Sequence, residues 1–556
     1  MLDNQGISNI LSTYAKLYEL HGGNAFKVRA TAGAAYNIKK IGEPLAEMTE
    51  EQLGKVPQIG KGLVPKVFEI IQTGSFEDLN DLLAATPKGV LDILKVKGLG
   101  PKKVEILWKE VGITSIPDLL DACRENRLVE VKGFGFKTQA QIISDIEFKF
   151  SQEGKFHWAK LKPVVKIIND LFEASEFVEQ YEVTGDYRRM NDVIGNLDYL
   201  VVCSDLQALS DDLAEHQFEL IDVLDDHHLF QYAEAVNVRI YETTDDRWGN
   251  ELLRRTSTQG HLDLIKFDSL ASIFDEEKKV YEALNLPFIL PELREGLKEL
   301  EHLKEQDQLI TYQDLKGVLH NHSTYSDGLH TLEVMARQAQ SMGLQYFGIC
   351  DHSQTASYAN GLKPERVLEQ MHEIEALNKK MAPFKILSGI ESDILGDGSL
   401  DYTNDILMLF DIVVASIHSN LTMDMDKAHL RLNGAIENPY TTILGHPTGR
   451  LLLMRPGYPI DHAYIIDACV ANHVAIELNA HPYRLDMDWR WIDYALNKGA
   501  FISINPDAHQ KEGLSDMQYG VNVARKGYLK PAQCLNAMGL EDLLLYIERK
   551  RKFRLS

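Results

Sequence analysis

The stretch Leu319-His320-Asn321-His322-Ser323-Thr324-Tyr325-Ser326-Asp327-Gly328 sets the organisation of the whole chain. An apolar run from Gly317 to Leu319 reads as a short buried strand that releases into a loop of Ser, Thr, Asp and Gly. His320 and His322 are two apart, so on extended backbone both imidazoles project to one side and can reach a common metal ion. Asp327 follows on the loop. Alone, a His-x-His pair carries little, because two histidines flanking a turn are more often solvated than ligating. Its company changes that. Further apolar runs also end in residues able to bind metal: Phe347 to His352, Ile386 to Glu391, Ile412 to His418, Thr442 to His446, and Phe501 to His509 with Asp507. Helical patterns such as Thr331 to Met342 and Pro364 to Lys379 separate them. Strands alternating with helices predict a β/α barrel whose active site lies where the strands end.

From about 315 to 556 these motifs resemble the polymerase and histidinol phosphatase (PHP) family. The resemblance implies a distorted (β/α)7 barrel over 313–556 that holds three divalent ions. His320, His322, Glu391 and Asp507 would hold one ion, and Glu391 would bridge to a second held by His418 and His446. Asp327, His352 and His509 would hold the third. Mixed imidazole and carboxylate ligands suit Mn, Zn or Fe.

The 556 residues are too many for one core, so two to four domains are expected. The five cysteines show no CxxC spacing, which indicates neither a disulfide framework nor a thiolate zinc site. No basic region precedes an apolar core at the N-terminus, and no apolar run approaches membrane-spanning length, so a cytoplasmic protein with no membrane partner is expected. The net charge of −24 argues against a broad nucleic-acid surface. Residues 1–150, however, carry 19 Lys and Arg against 19 Asp and Glu, so DNA contact is expected at the front of the chain.

That front holds a repeat. Val56 to Gly62, Val96 to Lys103 and Val131 to Lys137 share a hydrophobic-x-Gly-hydrophobic-Gly core, with Gln58 in place of the first glycine of the first copy. Glycine permits positive φ and lets backbone N–H groups approach a phosphate at a helix N-terminus. The spacing resembles helix-hairpin-helix motifs, which grip DNA backbone without reading bases. Gly60, Gly62, Gly98, Gly100, Lys102, Gly133, Gly135 and Lys137 are the candidate DNA contacts. The first copy also resembles the lyase domain of family X polymerases, in which the position of Lys66 matches a Schiff-base lysine; a surface lysine is the alternative.

Between these regions, Gly185 to Val202 resembles the palm of family X polymerases, and Trp248-Gly249 and Val280 to Glu295 match later landmarks of that family. Nucleotidyl transfer needs three carboxylates holding two divalent ions. Only the second, Asp198, is present; Asn196 and Asn237 stand at the other two positions. An amide supplies no charge, and Mg²⁺ dehydrates reluctantly. Asp186 replaces the family's serine beside the triphosphate. The stripe Leu213, Phe218, Leu220, Ile221 and Leu224 reads as the core face of a palm helix and strand.

The resemblance thus covers nearly the whole chain: a bacterial family X DNA polymerase with a C-terminal PHP domain. It implies an all-α helix-hairpin-helix region at 1–150, an α+β palm and thumb at 151–312, and the barrel at 313–556. The implied function is a metal-dependent DNA phosphoesterase acting on gapped, nicked or 3′-ended DNA without regard to sequence. Its activity would be 3′-5′ exonuclease, with apurinic-site endonuclease or 3′-phosphatase activity alongside, and without nucleotidyl transfer. Glu391 and Arg450 are the candidate catalytic residues, Arg450 as a bidentate grip on phosphate, and Arg484 lies on a loop expected at the same mouth. A working gap-filling polymerase and a non-enzymatic DNA-end scaffold are the alternatives.

Overall fold

A computed structural model of the chain describes every residue except Met1, Gln58, Glu130, Glu234 and Ser556. Gln58, the departure in the first hairpin, therefore lies outside the described residues. The chain divides into two units, Met1–Glu153 and Gly154–Ser556.

The first unit is helical throughout, from Asn4–Leu20 to Phe136–Ser151. Ile7, Leu11, Tyr14, Val67, Leu107 and Ile142 are among its core residues. Each glycine motif falls between two helices: Glu50–Leu53 and Val64–Thr73, Lys88–Ile93 and Pro101–Glu105, Ile116–Arg124 and Phe136–Ser151. Pro101 sits in the first turn of its helix, where a missing N–H costs nothing.

The second unit begins with β1 (Phe156–His157), β2 (Val178–Val183), β3 (Val193–Ile194), β4 (Leu197–Cys203), β5 (Phe218–Val223), β6 (His228–Tyr232) and β7 (Val236–Thr243). β1 pairs with β3, while the rest form a five-stranded sheet in the order β2-β4-β7-β6-β5. β4 and β7 run parallel and place Asp198 opposite Arg239. β5 is an edge strand, and this corrects the expected apolar stripe. Leu213 and Phe218 are buried, but Leu220, Ile221 and Leu224 are 40%, 48% and 45% exposed, because no layer covers the end of the sheet. The connection from Glu295 to Asp314 is neither a long helix nor open chain. It runs through short turns with Glu299 and Gln306 buried.

The barrel comprises β8 (Gly317–Val318), β9 (Tyr346–Ile349), β10 (Lys385–Asp393), β11 (Ile412–Ser416), β12 (Ile443–Leu444), β13 (Ala475–Asn479) and β14 (Ile502–Asn505). All neighbours are parallel, in the order β14-β13-β12-β11-β10-β9-β8. The two ends meet through a bridge between Asn321 and Ala508 and through the Leu319 amide, which donates to Asn505 Oδ1 at 3.2 Å. Alternation along each strand divides two cores. Phe347, Ile386, Val413, Leu444, Ile476 and Ile502 face the outer helices. Tyr346, Leu387, Ile412, Val414, Ile443 and Ala475 fill the interior, which Leu543 and Ile547 of the helix Leu540–Leu555 close. Continuing at the same parity leads to His352, Glu391, His418, Glu477 and Asp507, so the interior turns from apolar to polar along the strands.

Palm and barrel share a seam. Lys526, on the helix Met517–Lys526, is 2% exposed and donates to the carbonyls of Arg189 and Glu292 and to Glu295 Oε1, the last at 2.6 Å. Burial pushes its pKa down while Glu295 opposes that. Trp158 stacks on Tyr187 and meets Tyr519 edge-on at 6.0 Å, and the His157 ring contacts the Leu452 carbonyl at 3.0 Å. Removing one partner of a buried pair costs about 3–5 kcal/mol. Because Glu295 keeps Arg189 at 3.2 Å, Lys526→Ala is expected to destabilise the Gly154–Ser556 unit at the low end, by about 3 kcal/mol. A urea-unfolding midpoint unchanged from wild type would contradict this account of the seam.

Candidate metal centre

The nine residues expected as metal ligands come together at the strand ends. His322, Asp327, His352 and His509 form one group whose ligand atoms all lie within 4.8 Å of one another. His320, His322 and Glu391 form a second group, and His352, Glu391 and His418 a third. Glu391 is the hub. Its Oε1 lies 3.4 Å from His320 Nε2, 3.1 Å from His418 Nε2 and 3.0 Å from His446 Nε2. Its Oε2 lies 3.6 Å from His322 Nε2 and 2.9 Å from His352 Nδ1. Asp507 Oδ1 stands 2.9 Å from His322 Nε2 and 3.7 Å from His320 Nε2. Asp327 Oδ1 stands 3.6 Å from His352 Nε2 and 3.3 Å from His509 Nε2. His322 and His352, like Glu391, therefore each belong to two groups, whereas sequence had Glu391 alone shared between ions.

The donor set fits divalent cations. His320 Nε2, Asp327 Oδ1, His352 Nδ1 and Glu391 Oε2 are buried atoms without a hydrogen-bond partner, an arrangement that proteins otherwise avoid. Burial opposes charge on Glu391, yet His418, His320 and His352 hold its pKa well below the usual carboxylate range. Asp507 is likewise held low, mainly by His320 and His322 against its burial. Burial lowers and Glu391 with Asp393 raises His418, with a net rise to about 10. His322, buried beside His509 and His352, falls to about 3. The carboxylates thus stay ionised and draw positive charge from their neighbours, a demand that a cation among the same atoms meets directly.

The layer beneath holds residues that sequence reasoning missed. Glu477, fully buried on β13, accepts from His320 Nδ1 at 2.7 Å, from the His446 amide at 2.7 Å and from Asn505 Nδ2 at 3.0 Å. It fixes which nitrogen of His320 faces the cluster, as outer carboxylates do for metal-bound histidines. Asp393 does the same for His418 Nδ1 at 2.6 Å. Asp351 instead accepts from Ser323 and Ser326 and shapes the loop leading to Asp327. The available signal was the alternation Ala475-Ile-Glu477-Leu-Asn479, an apolar strand carrying two polar residues on one face.

Arg450 requires a correction. Its Nε donates to the Arg484 carbonyl at 3.0 Å, its Nη1 to Asp488 at 2.9 Å, and its Nη2 to the Leu485 carbonyl with Asp192 at 3.5 Å. All three nitrogens are committed to a loop and to the palm seam, so Arg450 does not present a fork to substrate. Arg484, on the loop that Arg450 braces, has its Nε 3.7 Å from Asp507 Oδ2 and a side chain 20% exposed.

In the palm, Arg239 holds Asp198 through two hydrogen bonds of 2.6 and 2.8 Å. Asn196 and Asn237 flank it at the mouth of β4 and within β7, and Arg188 is spent on Thr256 and Glu277. Arg189 bonds Asp186, Glu295 and the Thr256 carbonyl. In the helical unit, Lys66 pairs with Asp78 over the rings of Tyr14 and Phe76. Its amine is thus engaged by a carboxylate within the helical unit. At the hairpins, Gly98 and Gly133 take φ of +78° and +94°, while Gly100 and Gly135 open their helices. A Cβ at any of Gly60, Gly62, Gly98, Gly100, Gly133 or Gly135 would meet nothing within 4 Å, so the bare backbone faces outward. Lys102 and Lys137 are exposed beside it.

Family matches fall on the helical unit and on the barrel. Residues 2–76 match a helix-hairpin-helix domain family, 90–147 a SAM-like helix-hairpin-helix tandem family, and 319–481 the PHP domain family. The "DNA polymerase/3'-5' exonuclease PolX" of Bacillus subtilis is 33% identical over 99% of this chain and 100% of its own length. A "Probable phosphatase" of Thermoanaerobacter sp. is 32% identical over 43% of this chain and 97% of its own. Another of that description, from Shewanella sediminis, is 32% identical over 38% and 85%. No helix among the described residues is long and apolar enough to cross a membrane.

Glu477→Gln keeps the shape of the residue under His320 but removes its charge. Loss of such an outer partner typically weakens metal binding about 10–100-fold, and a chelator-competition titration with Mn²⁺ or Zn²⁺ is expected to read a loss in that range. Wild-type affinity in the variant would remove Glu477 from the metal account.

Proposed function

The chain belongs to the PolX family of DNA polymerase/3′-5′ exonucleases, with helix-hairpin-helix DNA-binding domains and a PHP domain of hydrolase type, and on that footing we propose that its working chemistry is phosphodiester hydrolysis at DNA 3′ ends. The observation that carries the reading is an asymmetry between two centres in one chain. The barrel gathers His320, His322, Asp327, His352, Glu391, His418, His446, Asp507 and His509 into one connected cluster with Glu391 at its hub, whereas the palm has asparagine at two of its three positions.

Manganese, zinc or iron bound by those nine residues supplies Lewis-acid stabilisation of phosphoryl oxygens and a nucleophile at neutral pH. Glu391 shares its charge across the groups on either side of it and so sets their spacing. Glu477 and Asp393 orient His320 and His418 from behind. Arg484 takes the phosphate-binding role expected for Arg450, and Arg450 is a positioning residue that holds the Arg484 loop by its carbonyl. The outward glycine backbones at Gly60, Gly62, Gly98, Gly100, Gly133 and Gly135, with Lys102 and Lys137, bind DNA phosphates without reading sequence. Apurinic-site cleavage, which splits a phosphodiester, and 3′-phosphatase activity, which splits a terminal phosphomonoester, both break a P–O bond and use the same site.

Glu391→Gln is expected to abolish cleavage of end-labelled DNA, at least about a hundredfold, while the gel-shift affinity for the same DNA stays within about twofold, since hydrolysis and DNA binding belong to separate parts of the chain. Cleavage retained in a metal-verified Glu391→Gln protein would refute the reading.

Nucleotidyl transfer is lost on the same proposal. Asp198 is engaged by Arg239 and lacks the two carboxylates that would complete a metal pair. Primer extension on gapped DNA with Mg²⁺ or Mn²⁺ is expected to show no templated incorporation by wild type. Incorporation by wild type within tenfold of an Asn196→Asp, Asn237→Asp variant would restore the gap-filling polymerase.

A further inference from the structure

The loop that follows β9 carries an aromatic ring that the hydrolytic chemistry does not require. Tyr358 lies in the turn Ser357–Ala359, is 55% exposed, and has its ring centre 6.1 Å from that of His352 at an angle of 57°. The loop is tied down on both sides of the ring. The Thr355 amide donates to Asp401 Oδ2 at 2.7 Å, Thr355 Oγ1 to Asp393 Oδ2 at 2.9 Å, and Gln354 Nε2 to the Asp401 carbonyl at 2.7 Å. The Gly361 amide closes the turn on the Ala356 carbonyl at 3.1 Å. Asp393 is the same residue whose other oxygen orients His418, so one carboxylate sets both the ring loop and a cluster histidine.

The ring also stands within the field of the site. Burial first, then Asp393, Glu391 and Asp327, raise the pKa of its phenol, and Arg484 opposes them. A phenol hydroxyl is uncharged near neutral pH and adds no repulsion to an incoming phosphate. A planar, neutral, half-exposed ring beside a phosphate-handling cluster matches one feature of a DNA end that a simple phosphate ester lacks, namely the face of a nucleobase. Base–aromatic stacking tolerates any sequence because every base has such a face.

We propose that Tyr358 stacks on the nucleobase of the terminal nucleotide whose phosphate lies at the cluster, which makes the site selective for nucleic-acid ends that carry a base. This rests on the exonuclease reading above. Stacking requires the ring and not the hydroxyl, which separates Tyr358→Phe from Tyr358→Ala.

Two 5′-labelled oligonucleotides of one sequence test it, one ending in a 3′ thymidine and one in a 3′ tetrahydrofuran abasic residue. The wild-type protein and Tyr358→Phe are expected to remove the base-bearing end roughly tenfold faster in kcat/KM, the lower part of the range for one stacked base. Tyr358→Ala is expected to lose that preference through a raised KM for the base-bearing end, with the abasic end cleaved at the wild-type rate. The abasic rate thereby reports that the variant is folded and metal-loaded. In a second measurement the full chain, held in Ca²⁺ without turnover, is titrated into an oligonucleotide with 3′-terminal 2-aminopurine. Wild type and Tyr358→Phe are expected to quench its fluorescence, and Tyr358→Ala to quench it much less. Equal rates on the two ends by wild type, or a Tyr358→Ala protein that slows both alike or quenches as wild type does, would overturn the proposal. A wild-type protein that cleaves neither end would overturn the exonuclease reading itself.

Discussion

A carboxylate with almost no exposure has to be surrounded by positive charge or by donors, and Glu391 is placed where only histidines can answer it. Both of its oxygens face imidazole nitrogens within 3.6 Å, five rings in all. Those rings reach inward because β8, β9, β11 and β12 all end around it, and two of them, His320 and His418, are aimed from behind by Glu477 and Asp393. The barrel is thus built around an electrostatic requirement as much as around its apolar interior. Tyr346, Leu387, Ile412 and Ala475 fill the floor, and the same alternation delivers the charged layer above it. A strand register shifted by one residue would exchange a histidine for a leucine at the mouth.

Much of this was legible in the sequence because ligands sit at strand ends and strands betray themselves as apolar runs. His352, Glu391, His418 and His446 each follow such a run directly. Asp327, which lies on a loop, was readable only with the PHP resemblance in hand. Glu477 escaped for a different reason. It stands inside a strand, flanked by Ile476 and Leu478, and a buried acid there looks like an exception to the pattern until the histidine behind which it sits is known. Arg450 was legible as a residue at the mouth but not as a brace, since its partners Arg484, Leu485 and Asp192 are carbonyls and a carboxylate contributed by distant segments. The apolar stripe through Leu220, Ile221 and Leu224 looked like a core face because hydrophobicity alone does not say that β5 has no neighbour on its far side.

In the palm, the charged side chains near Asp198 answer one another. Asp198, left with two asparagines, is taken up by Arg239. Arg188 and Arg189, on the turn that in the family faces a triphosphate, are turned toward Glu277, Glu295 and Asp186. Each of these charges has a partner in the palm or at its seam, as buried charges must.

The seam at Lys526 carries a further consequence for how the chain came to be as it is. The phosphatase relatives cover 43% and 38% of this chain while matching nearly all of their own lengths, so a barrel of this kind exists elsewhere as a free-standing unit. Here the barrel has a lysine buried with no exposure of its side chain, whose acceptors, the carbonyls of Arg189 and Glu292 and the carboxylate of Glu295, all come from the segment preceding it. Detachment would strip that ammonium of these three acceptors and return it to water, so the barrel surface at the seam is made for its cover. The palm thus serves the barrel as the cover over one of its charges, a role independent of any chemistry the palm itself performs.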